Sequence, residues 1–190
     1  MINYIRRSIV YILLMTLFFS CKSTKTGIDD LSITELENKV SKKLMIFKAE
    51  SALPLLSTAT MQVNSALLTR RGDSPSRIML SGKDNLKIVG DSAIAKLPFY
   101  GEIRVADYNY GKESSITFEN AYSDFSITNK KGKRIILKFD VEAHDDSYDV
   151  MLEVYPNKSA NLTITGTKRT QMRYMGNVTF YESVQAIEED

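Results

Sequence analysis

Arg134-Ile135-Ile136-Leu137-Lys138-Phe139-Asp140-Val141-Glu142-Ala143-His144 is the stretch on which the fold turns. Ile135, Leu137, Phe139, Val141 and Ala143 fall at every second position, with Lys138, Asp140, Glu142 and His144 between them. Successive side chains of a strand point to opposite faces, so this alternation means a half-buried β-strand. The odd positions are expected in the core and the even ones in solvent. Ile136 is the apolar exception on the polar face.

The same period runs outward in both directions. On the C-terminal side, Tyr148, Val150, Leu152 and Val154 alternate, then Leu162 and Ile164. Met172, Tyr174, Val178 and Phe180 follow, interrupted by Gly176. On the N-terminal side lie Ser115 to Glu119, around Ile116 and Phe118, and then Tyr122 to Thr128, with Phe125 and Ile127 on one face. Further back, Arg77 to Leu80 and Asn85 to Ile88 flank Ser81-Gly82-Lys83-Asp84, which predicts a hairpin. The connectors at 129–133, 145–147, 156–159 and 166–169 are short and rich in turn residues. Short connections join antiparallel neighbours. The expectation is a mainly β fold: an antiparallel meander of about eight strands forming a barrel or half-barrel.

One helix precedes it. Ser32-Ile33-Thr34-Glu35 matches a capping box, and Leu31 and Leu36 match the staple positions around it. Leu36, Val40, Leu44 and Phe47 recur at helical spacing, which predicts a helix over about 32–45. Phe47 to Ala52 could already be strand, and Pro54 ends it.

The first 20 residues read as a secretory signal. Arg6 and Arg7 precede an apolar run from Ile9 to Phe19, about half the length of a bilayer-spanning helix. Leu17-Phe18-Phe19-Ser20 before Cys21 looks like a lipobox, where the chain is cut ahead of a cysteine that becomes acylated. Phe18 stands where Leu is usual. Cys21 is the lone cysteine, so it closes no intrachain disulfide. The expected organisation is a signal over 1–20, a polar tether over 21–30 and one β domain over 31–190. Removing Arg6 and Arg7 from the 25 basic residues leaves as many as the 23 acidic ones. A neutral exported chain argues against nucleic acid as a partner. Lys22 is not the Asp of an inner-membrane retention signal, and no acidic cluster follows Cys21. The expected place is therefore the outer membrane, lipid-anchored and facing the periplasm.

At Leu97-Pro98-Phe99-Tyr100-Gly101 the chain resembles the Bacteroidetes lipoproteins catalogued as domain of unknown function 4251. The pattern continues through Phe118 and through Lys168-Arg169 ahead of Met172 to Gly176. The two aromatics of the short motif stand in swapped order. The resemblance implies a lipocalin-like antiparallel architecture and brings no reaction, cofactor or site residues. Pro98 and Gly101 are expected to turn the chain while Phe99 and Tyr100 plug the core.

Candidate chemistry is sparse. His144-Asp145-Asp146 with Asp149 is the densest titratable cluster, but it falls in a hairpin turn where Asp needs no metal. His144 is the only histidine and lies on the outer face. No Gly-x-Ser-x-Gly occurs. Lys130, Lys131, Lys133 and Arg134 form a basic turn, read as solvated. No catalytic residue, metal site or cofactor is assigned; the one assigned site is the lipidation at Cys21. The expected function is a non-catalytic envelope lipoprotein that binds a small apolar or amphipathic ligand. The alternative is a structural or interaction protein that presents a β face to another envelope protein. Phe125, Phe139 and Tyr148 facing one interior would fill it and favour the alternative.

Overall fold

The computed structural model describes residues 30–55, 76–104, 115–144 and 146–184. Among these, one helix, α1 (Ile33–Ser41), precedes nine strands. They are β1 (Leu44–Pro54), β2 (Ile78–Met79), β3 (Asn85–Val89), β4 (Ser92–Pro98), β5 (Ser115–Lys130), β6 (Arg134–Glu142), β7 (Ser147–Val154), β8 (Ser159–Gly166) and β9 (Met172–Phe180). From β3 onward each strand pairs antiparallel with the next, and β9 returns to β1, so the sheet closes. Closure removes the exposed edges that an open sheet must protect.

The expected hairpin at 77–88 is corrected. β2 and β3 do not pair with each other; they lie end to end along the same side of β1, with Ala52 opposite Ile78 and Leu44 opposite Val89. Leu80 N donates to Glu50 O at 2.9 Å and Ala49 N to Asp84 O at 2.8 Å, so the backbone keeps its course across the Ser81–Asp84 interruption. The two pieces fill one position of the ring, and the barrel has eight. β3 reverses instead through Gly90-Asp91 into β4, a strand that alternation had not marked.

The helix is shorter than 32–45. Ser32 Oγ accepts from Glu35 N at 3.1 Å, as the capping box predicts. At the other end Lys43 adopts φ 54, a left-handed conformation that an α-helix cannot continue through. Leu44 and Phe47 therefore belong to β1. Leu36 and Val40 remain the helix's buried face.

The two strand segments expected at 115–119 and 122–128 are one strand, β5. Ser123 pairs with Asp140 and Ser126 with Lys138, leaving Asp124 and Phe125 opposite Phe139 alone. This bulge, with Asp124 at φ 52, moves the inward set from even positions (Ile116, Phe118) to odd ones (Phe125, Ile127). β5 also overruns β4: Ser92 pairs with Ala121, Tyr122 N donates to Asp91 O at 3.2 Å, and β6 is the strand paired with β5 beyond that point. At that end α1 packs against β6 and β1, and Asn129 Nδ2 donates to Glu37 Oε2 at 3.1 Å.

The expected faces of β6 hold. Ile135, Leu137, Phe139 and Val141 are buried, while Lys138, Glu142 and His144 are exposed. Ile136 departs from this: it is buried although its register puts it outside. Arg134 Nε meets Glu153 Oε1 at 3.0 Å, and Glu153 is the cross-strand partner of Ile136.

Candidate functional site

The barrel interior is occupied by aromatic side chains. Phe139 on β6 lies 5.0 Å, centroid to centroid, from Tyr122 and 6.2 Å from Phe125. Tyr122 stacks on Phe125 at 5.1 Å. Towards the other end Phe118 meets Tyr148 at 5.4 Å. Burial pushes the Tyr122 phenol up in pKa and the Tyr174 phenol further; Tyr174 donates its hydroxyl to Pro98 O at 2.8 Å. An eight-stranded barrel is just wide enough to hold one small ligand or to be filled by its own side chains.

One end is closed by α1. Tyr122 donates its hydroxyl to Gly90 O in the β3–β4 turn. Lys43, just past the helix, lies 4.5 Å from the Phe125 ring centroid and 2.8 Å from Asp91 Oδ1, and this carboxylate contact raises its pKa. Beside the helix, a cleft of about 560 Å³ opens between Leu31, Glu35, Lys39, Lys158 and Phe180.

The opposite end is closed by a buried ion pair. Asp146 precedes β7 and Arg169 lies between β8 and β9. Their side chains are 0% and 1% exposed, with Arg169 Nε 3.2 Å from Asp146 Oδ2. Asp146 Oδ1 accepts from the backbone N–H of Ser147 (2.9 Å), Thr167 (3.0 Å) and Lys168 (3.1 Å), and from the Thr167 hydroxyl. Arg169 Nη1 donates to Ser115 O at 2.9 Å, and its guanidinium sits 5.2 Å from the Phe99 ring centroid and 5.7 Å from that of Tyr148. The segment after β4 folds over this end: Ile103 bridges Arg169, and Thr170 N donates to Glu102 O at 2.9 Å. Asp146 Oδ1 thus takes four donors, while Asp146 Oδ2 and Arg169 Nε meet as a buried ion pair without a hydrogen bond, and together the two side chains close this end of the barrel.

These contacts settle the turn residues. Asp146 and Arg169, both expected in turns between strands, are turned inward. Of the two aromatics expected to plug the core, Phe99 is buried and Tyr100 is 38% exposed. His144 is exposed and Asp149 faces Asp140 across β6 and β7, so the acidic cluster does not converge. No group of three or more metal-ligating side chains forms among the described residues. Cys21 and Asp145 lie outside the described residues.

The fold thus defines a class: a closed antiparallel barrel with a filled core, capped by a helix at one end and by an Arg–Asp pair at the other. The chain belongs to the DUF4251 family, a domain of unknown function, whose sequence model matches residues 29–178. A crystal structure of a DUF4251 family protein from Bacteroides eggerthii DSM 20697 is similar to it with a TM-score of 0.57 at 12% identity, covering 85% of this chain and 96% of that one. At that identity the likeness speaks for the fold alone. No curated protein matches the chain.

Proposed function

We propose that this chain is a non-catalytic lipoprotein of the outer membrane, acylated at Cys21, facing the periplasm and engaging another envelope protein through the outside of its barrel. One observation carries the choice of an outer surface: Tyr122, Phe125, Phe139, Phe118 and Tyr148 pack against one another in the interior. Side chains that fill a barrel take the place of a small ligand. A small apolar or amphipathic ligand, the function first expected, would find a place in the cleft beside α1.

Native mass spectrometry of the protein purified from its own host tests this. The expected species is the polypeptide with its covalent acyl chains, alone or with a bound protein. A stoichiometric non-covalent lipid would overturn the choice in favour of ligand binding. Metabolic labelling with a palmitate analogue tests the anchor: Cys21→Ser should abolish incorporation, and label retained in that variant would refute the assignment.

A further inference from the structure

We propose that the α1 end of the barrel rests against anionic phospholipid headgroups, with Lys130, Lys131 and Lys133 as its contact. This rests on the anchoring at Cys21 proposed above. Leu31 N donates to Pro156 O in the β7–β8 turn at 3.0 Å, so the N-terminal segment joins the barrel at the α1 end. Cys21 stands nine residues before Asp30, a span of about 30 Å at full extension. A nine-residue strand such as β6 is roughly as long. Chain length alone therefore does not decide which end of the barrel meets the membrane.

Charge distinguishes the ends. Lys130, Lys131 and Lys133 crowd the turn between β5 and β6, all exposed, and their side chains make no ion pair among the described residues. At the same end Lys42 pairs with Glu182, Lys43 with Asp91 and Arg134 with Glu153, while Lys39 and Lys158 are half-buried beside the cleft. The turn is held in shape, since Gly132 N donates to Asn129 Oδ1 at 3.0 Å and Lys133 N to Lys130 O at 3.1 Å. Asn129 is in turn tied to Glu37 of α1. Three unmatched charges are thus presented at a fixed place, on the end where the tether enters. A lysine near an anionic surface favours contact roughly fivefold, and the attraction fades within about 10 Å. Three together are enough to choose which end faces the bilayer, leaving the Arg169 end for a protein partner.

Lysine footprinting of the acylated full chain in vesicles tests the orientation, using a membrane-impermeant amine reagent and mass-spectrometric readout. On phosphatidylglycerol vesicles, Lys130, Lys131 and Lys133 should label roughly fivefold more slowly than on phosphatidylcholine vesicles. Lys96, exposed on β4 near its Pro98 end, should label equally on both. About 1 M salt, which shortens the screening length to roughly 3 Å, should erase the difference. The exposed-turn variant Lys131→Glu should weaken protection of Lys130 and Lys133. Equal labelling of the turn on both vesicles, with the protein still vesicle-bound, would overturn the orientation and leave the anchor standing. So would protection of Lys96 instead. A chain that carries no acyl group and stays on neither vesicle would sink both.

Discussion

Arg169 reaches across the end of the barrel to Asp146, Nε to Oδ2 at 3.2 Å, with both side chains all but excluded from water. The two partners are not equally replaceable. Asp146 also serves three backbone N–H groups and a hydroxyl, so its second oxygen keeps its donors if Arg169 is lost. Arg169 would be left as a buried cation if Asp146 were lost. Asp146→Ala is therefore expected to cost about 3–5 kcal/mol. Arg169→Met, which puts an apolar chain between Phe99 and Tyr148, should cost about 1–3 kcal/mol. Urea midpoints rank them, and the reverse order would mean that Asp146 is not what holds the 166–169 turn.

Phe139 is the centre of the aromatic interior, and its neighbour Lys138 points out. Phe139→Ala should destabilise by about 3–5 kcal/mol through the cavity left beside Tyr122 and Phe125. Lys138→Ala should stay within about 0.5 kcal/mol. The contrast depends on register, because a slip of one residue exchanges the two faces. Chemical denaturation that found Lys138→Ala the worse variant would reverse the strand.

Much of this fold was legible because alternation is local. From Tyr148 to Phe180 each pattern of buried and exposed positions can be read from adjacent residues. Three features could not be read that way. The bulge at Asp124 is a slip of phase, and in sequence it looks like the gap between two strands. The closure of β1 on β9 joins residues more than a hundred positions apart and leaves no local signal. Arg169 stands in Gly166-Thr167-Lys168-Arg169, a composition typical of solvated turns; its burial depends on Asp146, some twenty residues earlier. The late arginine in the family resemblance was the one pointer to it. The acylation proposed at Cys21, by contrast, rests on a short linear pattern alone.

Asp140 carries a pH signature. Burial raises its pKa, and Asp149 across the strand pair and Asp124 in the bulge raise it further. A raised folded-state pKa means that the native state holds this proton more tightly than the unfolded chain does. The contribution to stability is full below the unfolded value, about 3.9, and is lost as pH rises through the folded value. At neutral pH the carboxylate is thus a liability. Asp140→Asn should raise Tm at pH 7, and the gain should shrink towards zero below about pH 4. A gain that is constant across this range would assign the effect to something other than the charge.

Gly176 decides whether the barrel can close. It lies on β9 opposite Ala49 of β1 and Ala160 of β8, next to the point where the β1 register slips past Glu50. A Cβ built there would stand 2.0 Å from Lys48 O, 3.0 Å from Lys48 C and 3.1 Å from Ala49 Cα. All three are backbone atoms of the partner strand, so no side-chain rotation relieves the clash; β1 and β9 would have to separate at the seam. Gly176→Ala should therefore cost about 3 kcal/mol, the upper part of the usual range for overpacking. Gly82 is the useful comparison. Its φ of +79 is unfavourable for alanine, but a Cβ there meets nothing within 4 Å. Gly82→Ala should cost only the backbone term, about 1 kcal/mol. Thermal melts of the two variants separate steric closure from conformational strain. Hydrogen exchange adds a second readout, since Gly176→Ala should speed exchange along β1 and β9 before it does so along β6 and β7. If Gly82→Ala were the more damaging, or if exchange rose evenly around the ring, the seam would not be the place where the closed barrel is most tightly constrained.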